Sequence, residues 1–180
     1  DFPAFYEGLS RIALARRERQ IAHQVDVIWA SGSELKSRWG SSHENVRLVH
    51  NGLDLSAMQA VEWAPVSSDN KVFGYVGTIA SWFDWGWVCA LAKARPNDEI
   101  RLIGPVFEPP VGRLPDNVKL LPACDHAAAL GLMTRFHIGL IPFKKNALTA
   151  SVDPIKYYEY RALSLPVVST DFGEMSFRSG

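Results

Sequence analysis

An α/β protein built on a Rossmann-like parallel sheet is what this sequence predicts, and three observations predict it. At 180 residues and 47% hydrophobic, the chain can bury one sizeable core, with room for one domain or a domain plus a piece of another. From Val72 onward, short β-rich runs alternate with helical patterns, the rhythm of parallel strands joined by crossover helices. Nothing competes with that reading: no internal repeat, no low-complexity tract, and no run of the roughly 18 to 20 apolar residues that a membrane span needs.

The elements follow in order. From Phe5 to Gln24, Leu14 and Ile21, with Val25 beyond, stand at helical spacing, and Arg11, Arg16, Arg17 and Arg19 lie between them; a helix with a solvated basic face is expected. Val25 to Ser31 reads as a short strand. Ser33-Glu34-Leu35-Lys36 opens a helix that ends at Gly40, and Val46 to Val49 is a further strand. His50-Asn51-Gly52-Leu53-Asp54 carries turn chemistry, because Asn-Gly tolerates positive φ. Periodicity fades between Leu55 and Asn70, where Pro65, Ser67, Ser68, Asp69 and Asn70 suggest a linker. Strands are then expected at Val72 to Thr78, Ile100 to Gly104, Val118 to Leu121, Ile138 to Phe143 and Val167 to Thr170. Asp125 can cap a helix over Ala127 to Met133, and Asp153 followed by Pro154 reads as an N-cap with proline at the first helical position. Trp82, Trp85 and Trp87 cluster at one helix start, where they are expected to cover the core.

Charge and cysteine usage exclude some functions. Lys plus Arg equals Asp plus Glu at 19 each, so no global field draws the chain to nucleic acid or to an anionic membrane. Cys89 and Cys124 stand outside any CxxC or Cys/His spacing, which predicts two buried, reduced thiols and a cytosolic compartment rather than a disulfide or metal site. The chain lacks an initiator Met and a signal-peptide pattern, and a truncated protein is expected.

In a doubly wound sheet, ligands sit at the carboxyl ends of the strands. Two segments there carry chemistry. Gly74-Tyr75-Val76-Gly77-Thr78 ends the first strand with two glycines, which either let backbone amides approach a phosphate or serve a tight turn; the spacing is not GxGxxG. Pro142-Phe143-Lys144-Lys145-Asn146-Ala147-Leu148-Thr149, running to Asp153-Pro154-Ile155-Lys156-Tyr157-Tyr158-Glu159-Tyr160, gathers lysines, Asn and Thr beside a helix start, a way to neutralise a pyrophosphate without metal. On that helix Ile155, Tyr158 and Ala162 predict an apolar face with Glu159 at its edge, able to accept hydrogen bonds from two vicinal ribose hydroxyls. Lys156 and Glu159 are also spaced three apart, so the alternative is a surface ion pair worth only a few tenths of a kcal/mol. His126 and His137, at a helix's first turn and a strand's start, read as structural.

The same residues carry a resemblance. Pro142-Phe143-Lys144 with Asn146 and Thr149, then Pro154, Lys156, Glu159-Tyr160, Ala162 and Pro166-Val167-Val168-Ser169-Thr170, resemble the retaining GT-B glycosyltransferases of family 4. Gly74 to Thr78 with Trp82 and Asp84 is similar to that family's opening loop, Leu102-Ile103-Gly104-Pro105 to its second strand, and Asn117-Val118 to Leu121 to its third. Val25 to Ile28, Ala30-Ser31 and Asn51 to Asp54 resemble the end of the family's first domain. The resemblance implies a remnant of the acceptor-binding domain at 1–54, a linker at 55–70 and a truncated nucleotide-sugar-binding domain at 71–180.

The resemblance also implies the chemistry. A hexose would pass from a nucleoside diphosphate sugar, the substrate, to a glycan or lipid-linked acceptor in surface polysaccharide biosynthesis, with no metal and no further cofactor. Glu159 would hold the ribose, Lys144 and Lys156 the diphosphate, Gly77, Thr78 and Thr149 would line the crevice, and Gly104 would sit near the base. The catalytic group stays unassigned, and the intact enzyme would be cytoplasmic with a possible peripheral contact at the inner membrane face. This donor half alone is expected to bind nucleotide weakly and to transfer nothing, since transfer needs two oriented substrates. Three positions depart from the pattern: Ser151 stands where relatives carry a second, sugar-facing glutamate, Ser164 where a glycine is usual, and no Arg or Lys lies between Thr78 and Gly86. A GT-B nucleotide-sugar epimerase and a non-catalytic module that recognises a nucleotide sugar or glycan are the competing readings.

Overall fold

The structure, a computed structural model, describes residues 6–54, 56, 58 and 69–178. Phe5, where the first helix was expected to begin, lies outside the described residues, as does most of the expected linker at 55–70. The described residues fall into two compact units. The first draws on Asp1–Asn51, Lys145–Pro154 and Asp171–Ser179, the second on Gly52–Lys144 and Ile155–Thr170.

In the first unit, helix α1 (Gly8–Ala22) precedes strand β1 (Ile28–Ala30), helix α2 (Ser33–Gly40) and strand β2 (Val46–Leu48). The two strands pair in parallel, Ile28 opposite Val46 and Ala30 opposite Leu48. Both are shorter than expected, because pairing ends where the partner strand ends. On α1 only Ala22 is buried, and Leu9, Ile12 and Ile21 are exposed together with the arginines. The remaining segments of the unit are joined by a buried ionic clasp. The Asp153 carboxylate accepts from the Asn51 backbone N–H at 2.8 Å and from Arg178 at 2.5 Å. The Asn51 side-chain amide donates to the Asp153 carbonyl at 2.6 Å. Glu174 accepts from both the backbone N–H and the hydroxyl of Ser33. Asp153 thus serves long-range contacts that its place before Pro154 did not predict.

The second unit is the predicted sheet. Strands β3 (Val72–Val76), β4 (Glu99–Ile103), β5 (Val118–Leu121), β6 (Ile138–Ile141) and β7 (Val167–Ser169) lie in the order β5-β4-β3-β6-β7, all parallel. The first strand of this unit, β3, is therefore central, and the winding reverses between β3 and β6, the place where open α/β sheets bind their ligands. β3 is buried throughout, as a strand covered on both faces must be. Helices α3 (Trp85–Ala94), α4 (His126–Met133) and α5 (Ile155–Ala162) complete it.

Local signals explain where these helices start and stop. Asp125 caps α4 by accepting from the Ala128 N–H at 2.8 Å, as its position predicts. Asp84 does the same for α3 through the Trp87 N–H. Phe83, Tyr75, Ile100, Leu102 and Leu140 form the core, and Trp82, Trp85 and Trp87 pack over it as expected. At the end of α5, Ser164 adopts φ 53, its N–H donates to the Arg161 carbonyl, and the Leu165 N–H reaches back to Tyr160. That is a Schellman termination with serine in the left-handed position glycine usually fills.

Two expectations are corrected. Cys124 is exposed and Cys89 half-buried, both free thiols, because α3 turns Cys89 toward the surface and Cys124 falls in the open connection before α4. On α5, of the three residues expected to face inward, Ile155 and Ala162 are exposed and Tyr158 is half-buried, while Glu159 and Tyr160 are buried, so the helix turns its Glu159–Tyr160 side to the sheet. Tyr160 decides this: its ring lies where a Cβ at Gly139 would stand, 2.4 Å away, which seats the helix with that side down on β6.

Candidate functional site

The switch point between β3 and β6 is shaped by two glycines. Gly77 has φ 154 and Gly104 φ 141, a conformation L side chains rarely adopt. A Cβ at Gly104 would meet the Gly77 carbonyl at 2.2 Å, so the ends of β3 and β4 can touch only as glycines. A Cβ at Gly77 would stand 2.9 Å from the Tyr75 hydroxyl and 3.7 Å from Lys156 Cε. The bare backbone at Gly77 therefore makes way for the Tyr75 hydroxyl, with the Lys156 side chain in ordinary contact distance beside it. The phosphate-amide reading of this loop changes in one respect: the Gly77 N–H donates to the Ile103 carbonyl at 2.9 Å and the Ile79 N–H to Pro105, so these two amides extend the sheet. Gly74 has yet another reason, since the Phe136 ring passes 2.2 Å from where its Cβ would be.

Beside this opening lies a buried carboxylate. Glu159 has a side chain only 3% exposed, and its two oxygens are held separately. Lys156 Nζ donates to Oε2 at 2.7 Å, and His126 Nε2 lies 3.0 Å from Oε1. The pairing of Lys156 with Glu159 that the spacing allowed does form, but in the interior instead of on the surface. A buried carboxylate is costly unless hydrogen-bonded and paired, and these two partners meet that need. Each oxygen retains lone-pair capacity for a further donor, and the lysine ammonium retains two of its three donors. The carboxylate can thus accept a pair of neighbouring hydroxyls while the lysine reaches an anion.

Tyr160, next in the chain, is fully buried with its hydroxyl among the Val76 N–H and the Gly74 and Leu140 carbonyls. Burial pushes its pKa, and that of Tyr75, well above the ordinary tyrosine value. The Tyr75 hydroxyl donates to the Thr78 carbonyl at 2.8 Å, which places Thr78 at the same strand end.

The structure thus brings Gly77, Thr78, Gly104, Lys156 and Glu159 to one place. Lys144 is at the end of β6, where its ammonium donates to the Ser81 carbonyl at 2.9 Å and its backbone N–H to Trp82. It lines a cleft of about 700 Å³ together with Asp84, Trp85 and Glu108. Thr149 belongs to the first unit, is fully buried, and bonds through its hydroxyl to Asn146 within one turn. Ser151 is buried in that unit as well. Sequence reasoning missed His126 as a partner of Glu159. The signal available was its place one residue after a capping Asp; the 33-residue separation from Glu159 gave no hint of contact. Among the described residues no group of three or more His, Cys, Asp or Glu is placed to hold a metal ion, and no helix is long and apolar enough to cross a membrane.

Comparison with known proteins bears on the fold. No protein-family model matches the chain. A Bacillus subtilis (strain 168) protein, TuaH, which its name assigns to teichuronic acid biosynthesis as a glycosyltransferase, is 26% identical over 92% of this chain and 45% of its own length. Sucrose-phosphate synthase from Thermosynechococcus elongatus superposes with a TM-score of 0.67 at 15% identity, covering 95% of this chain and 46% of that one. HepE of Anabaena, solved with UDP and glucose, gives 0.60 at 15% identity over 92% and 50%. The lipopolysaccharide outer core galactosyltransferase WaaB gives 0.57 at 15% identity over 87% and 44%. The α/β fold with its five-stranded parallel sheet matches GT-B glycosyltransferase structures. This chain spans about half the length of the proteins it resembles.

Proposed function

We propose that the chain carries the donor side of a retaining GT-B glycosyltransferase of family 4, which moves a hexose from a nucleoside diphosphate sugar to a glycan or lipid-linked acceptor in surface polysaccharide biosynthesis. The observation that carries this reading is the buried Glu159 carboxylate, held by Lys156 and His126 at the switch point of the sheet. Its resemblance to TuaH over most of the chain supports the polysaccharide role, and the UDP found with HepE supports the ligand class. In this reading residues 1–54 end the acceptor-binding domain and 71–180 form the donor domain. The protein acts in the cytoplasm, with a peripheral contact at the inner membrane face.

Glycosyl transfer requires the nucleoside diphosphate to leave with its electrons, and cationic groups already aimed at the diphosphate lower that barrier. Lys156 and Lys144 supply the charge, and Glu159 orients the nucleotide through its ribose. Gly77 and Gly104 let the ends of β3 and β4 come together beside the carboxylate, with Thr78 at the same strand end. Fixing the nucleotide at its ribose holds the anomeric carbon in register with the acceptor, which is where most of the catalytic gain from orientation arises.

Calorimetric titration with UDP, GDP and UDP-sugars, first without metal and then with magnesium, tests the reading. One nucleotide should bind saturably with or without magnesium, and Glu159→Ala should weaken it about tenfold or more, as expected for hydrogen bonds to a charged group. Unchanged affinity in Glu159→Ala would remove the ribose assignment.

A further inference from the structure

We propose that His126 is a positioning residue for ribose recognition: by holding one oxygen of Glu159 while Lys156 holds the other, it makes the site discriminate a ribonucleotide from its 2′-deoxy counterpart. This rests on the reading of Glu159 as the ribose ligand and adds to it the device that aims the carboxylate.

The argument starts from what a vicinal diol requires. Two neighbouring hydroxyls are best accepted by two carboxylate oxygens whose plane is fixed, because the entropy of ordering a loose side chain subtracts from each bond made. A glutamate paired with lysine alone is not so fixed. The ammonium is a point charge without directional preference, and the carboxylate can turn about its terminal torsion and keep the pair. A second partner on the other oxygen removes that freedom. His126 Nε2 at 3.0 Å from Oε1, opposite Lys156 at 2.7 Å from Oε2, is such a partner. An imidazole N–H is directional, and it donates to the carboxylate in both the neutral Nε2–H tautomer and the protonated ring.

The position of His126 suits this role. It is the first residue of α4, immediately after Asp125, whose carboxylate accepts from the Ala128 N–H and so anchors the turn. Its own side chain is 57% exposed while Glu159 is 3% exposed, so the imidazole meets the buried carboxylate from a position that solvent reaches. The same exposure separates the role from packing: truncating His126 removes little buried surface and leaves a helix-compatible alanine.

The test compares UDP with 2′-deoxy-UDP, and GDP with 2′-deoxy-GDP, by calorimetry on the unaltered protein, His126→Ala and His126→Gln, with thermal melting as the control for folding. The unaltered protein should prefer the ribonucleotide at least tenfold, since a site that hydrogen-bonds a hydroxyl rejects the analogue lacking it. His126→Ala should lower that ratio to about threefold or less by weakening the ribonucleotide alone. His126→Gln, whose amide N–H can reach the same oxygen, should restore most of it. Equal weakening of both nucleotides by His126→Ala, or a ratio that His126→Ala leaves intact, overturns the role of His126 and leaves Glu159 as ribose ligand standing. Absence of nucleotide binding, or equal affinity for the ribo and deoxy forms in the unaltered protein, overturns the Glu159 reading and this inference with it.

Discussion

Each unit of the molecule buries carboxylates, and the two do so differently. In the first unit, Asp153 accepts from the Asn51 N–H and the Arg178 guanidinium, and Glu174 from the N–H and hydroxyl of Ser33, while the exposed His50 ring lies 3.6 Å from each carboxylate, beyond hydrogen-bond distance. Their partners come from positions 25 to 141 residues away in sequence, which makes the arrangement a clasp between chain segments. In the second unit, Glu159 is held by two side chains, one 24% and the other 57% exposed, at the open end of a sheet. A carboxylate tied to backbone amides and a guanidinium has its geometry committed to the fold. One tied to a lysine and a histidine keeps partners that can serve a ligand as well. The difference teaches that burial of a charge does not by itself mark a functional site; the identity and exposure of the groups hydrogen-bonded to it do.

Substitutions can break that comparison. The largest expected effect is at Asp153→Ala, which strips a partly buried guanidinium and a backbone N–H of their acceptor; breaking a buried pair from one side costs about 3 kcal/mol or more, measurable as a lowered urea midpoint. Glu159→Gln is the contrast. It should weaken nucleotide binding while shifting the midpoint by only about 1 kcal/mol, because Lys156 and His126 are exposed enough to rehydrate. A Glu159→Gln midpoint as low as that of Asp153→Ala would show Glu159 to be another clasp.

Alkaline pH probes the interior that supports the site. Tyr160 and Tyr75 have folded pKa values raised by burial above the ordinary 10.0. A raised pKa means that their contribution is fully present below pH 10 and is lost as pH climbs above it, since the unfolded chain ionises first. Denaturant midpoints should be flat from pH 8 to about 9.5 and fall above about 10, and Tyr160→Phe should make that fall shallower. The smallest expected effect is at Ser164→Gly. Relief of the left-handed strain, about 1 to 2 kcal/mol, outweighs the added entropy of the unfolded chain, about 0.4 to 1 kcal/mol, so a gain near 0.5 kcal/mol is expected in thermal melting. A loss there would mean that the serine hydroxyl has a role in the turn.

Much of the fold was legible in the sequence. The strands of the five-stranded sheet could be placed within two residues of their ends because buried strands read as apolar runs, and α4 began where a capping aspartate stood before it. The strand-end glycines stood out too, although their reasons did not. Nothing local distinguishes Gly74, which makes way for the Phe136 ring, from Gly104, which meets the backbone of Gly77.

The sequence by itself determined the elements and the chemistry available at their ends, since periodicity, capping and turn residues act within a few positions of one another. Only the tertiary structure decided which face of α5 went inward, that Asp153 would be claimed by Asn51 and Arg178, and that His126 would meet Glu159. Those outcomes depend on contacts across 25 to 102 residues. They are set by the crossover winding of the sheet and by the cost of leaving a buried charge without a partner, a cost the chain can meet only after its distant segments have been brought together.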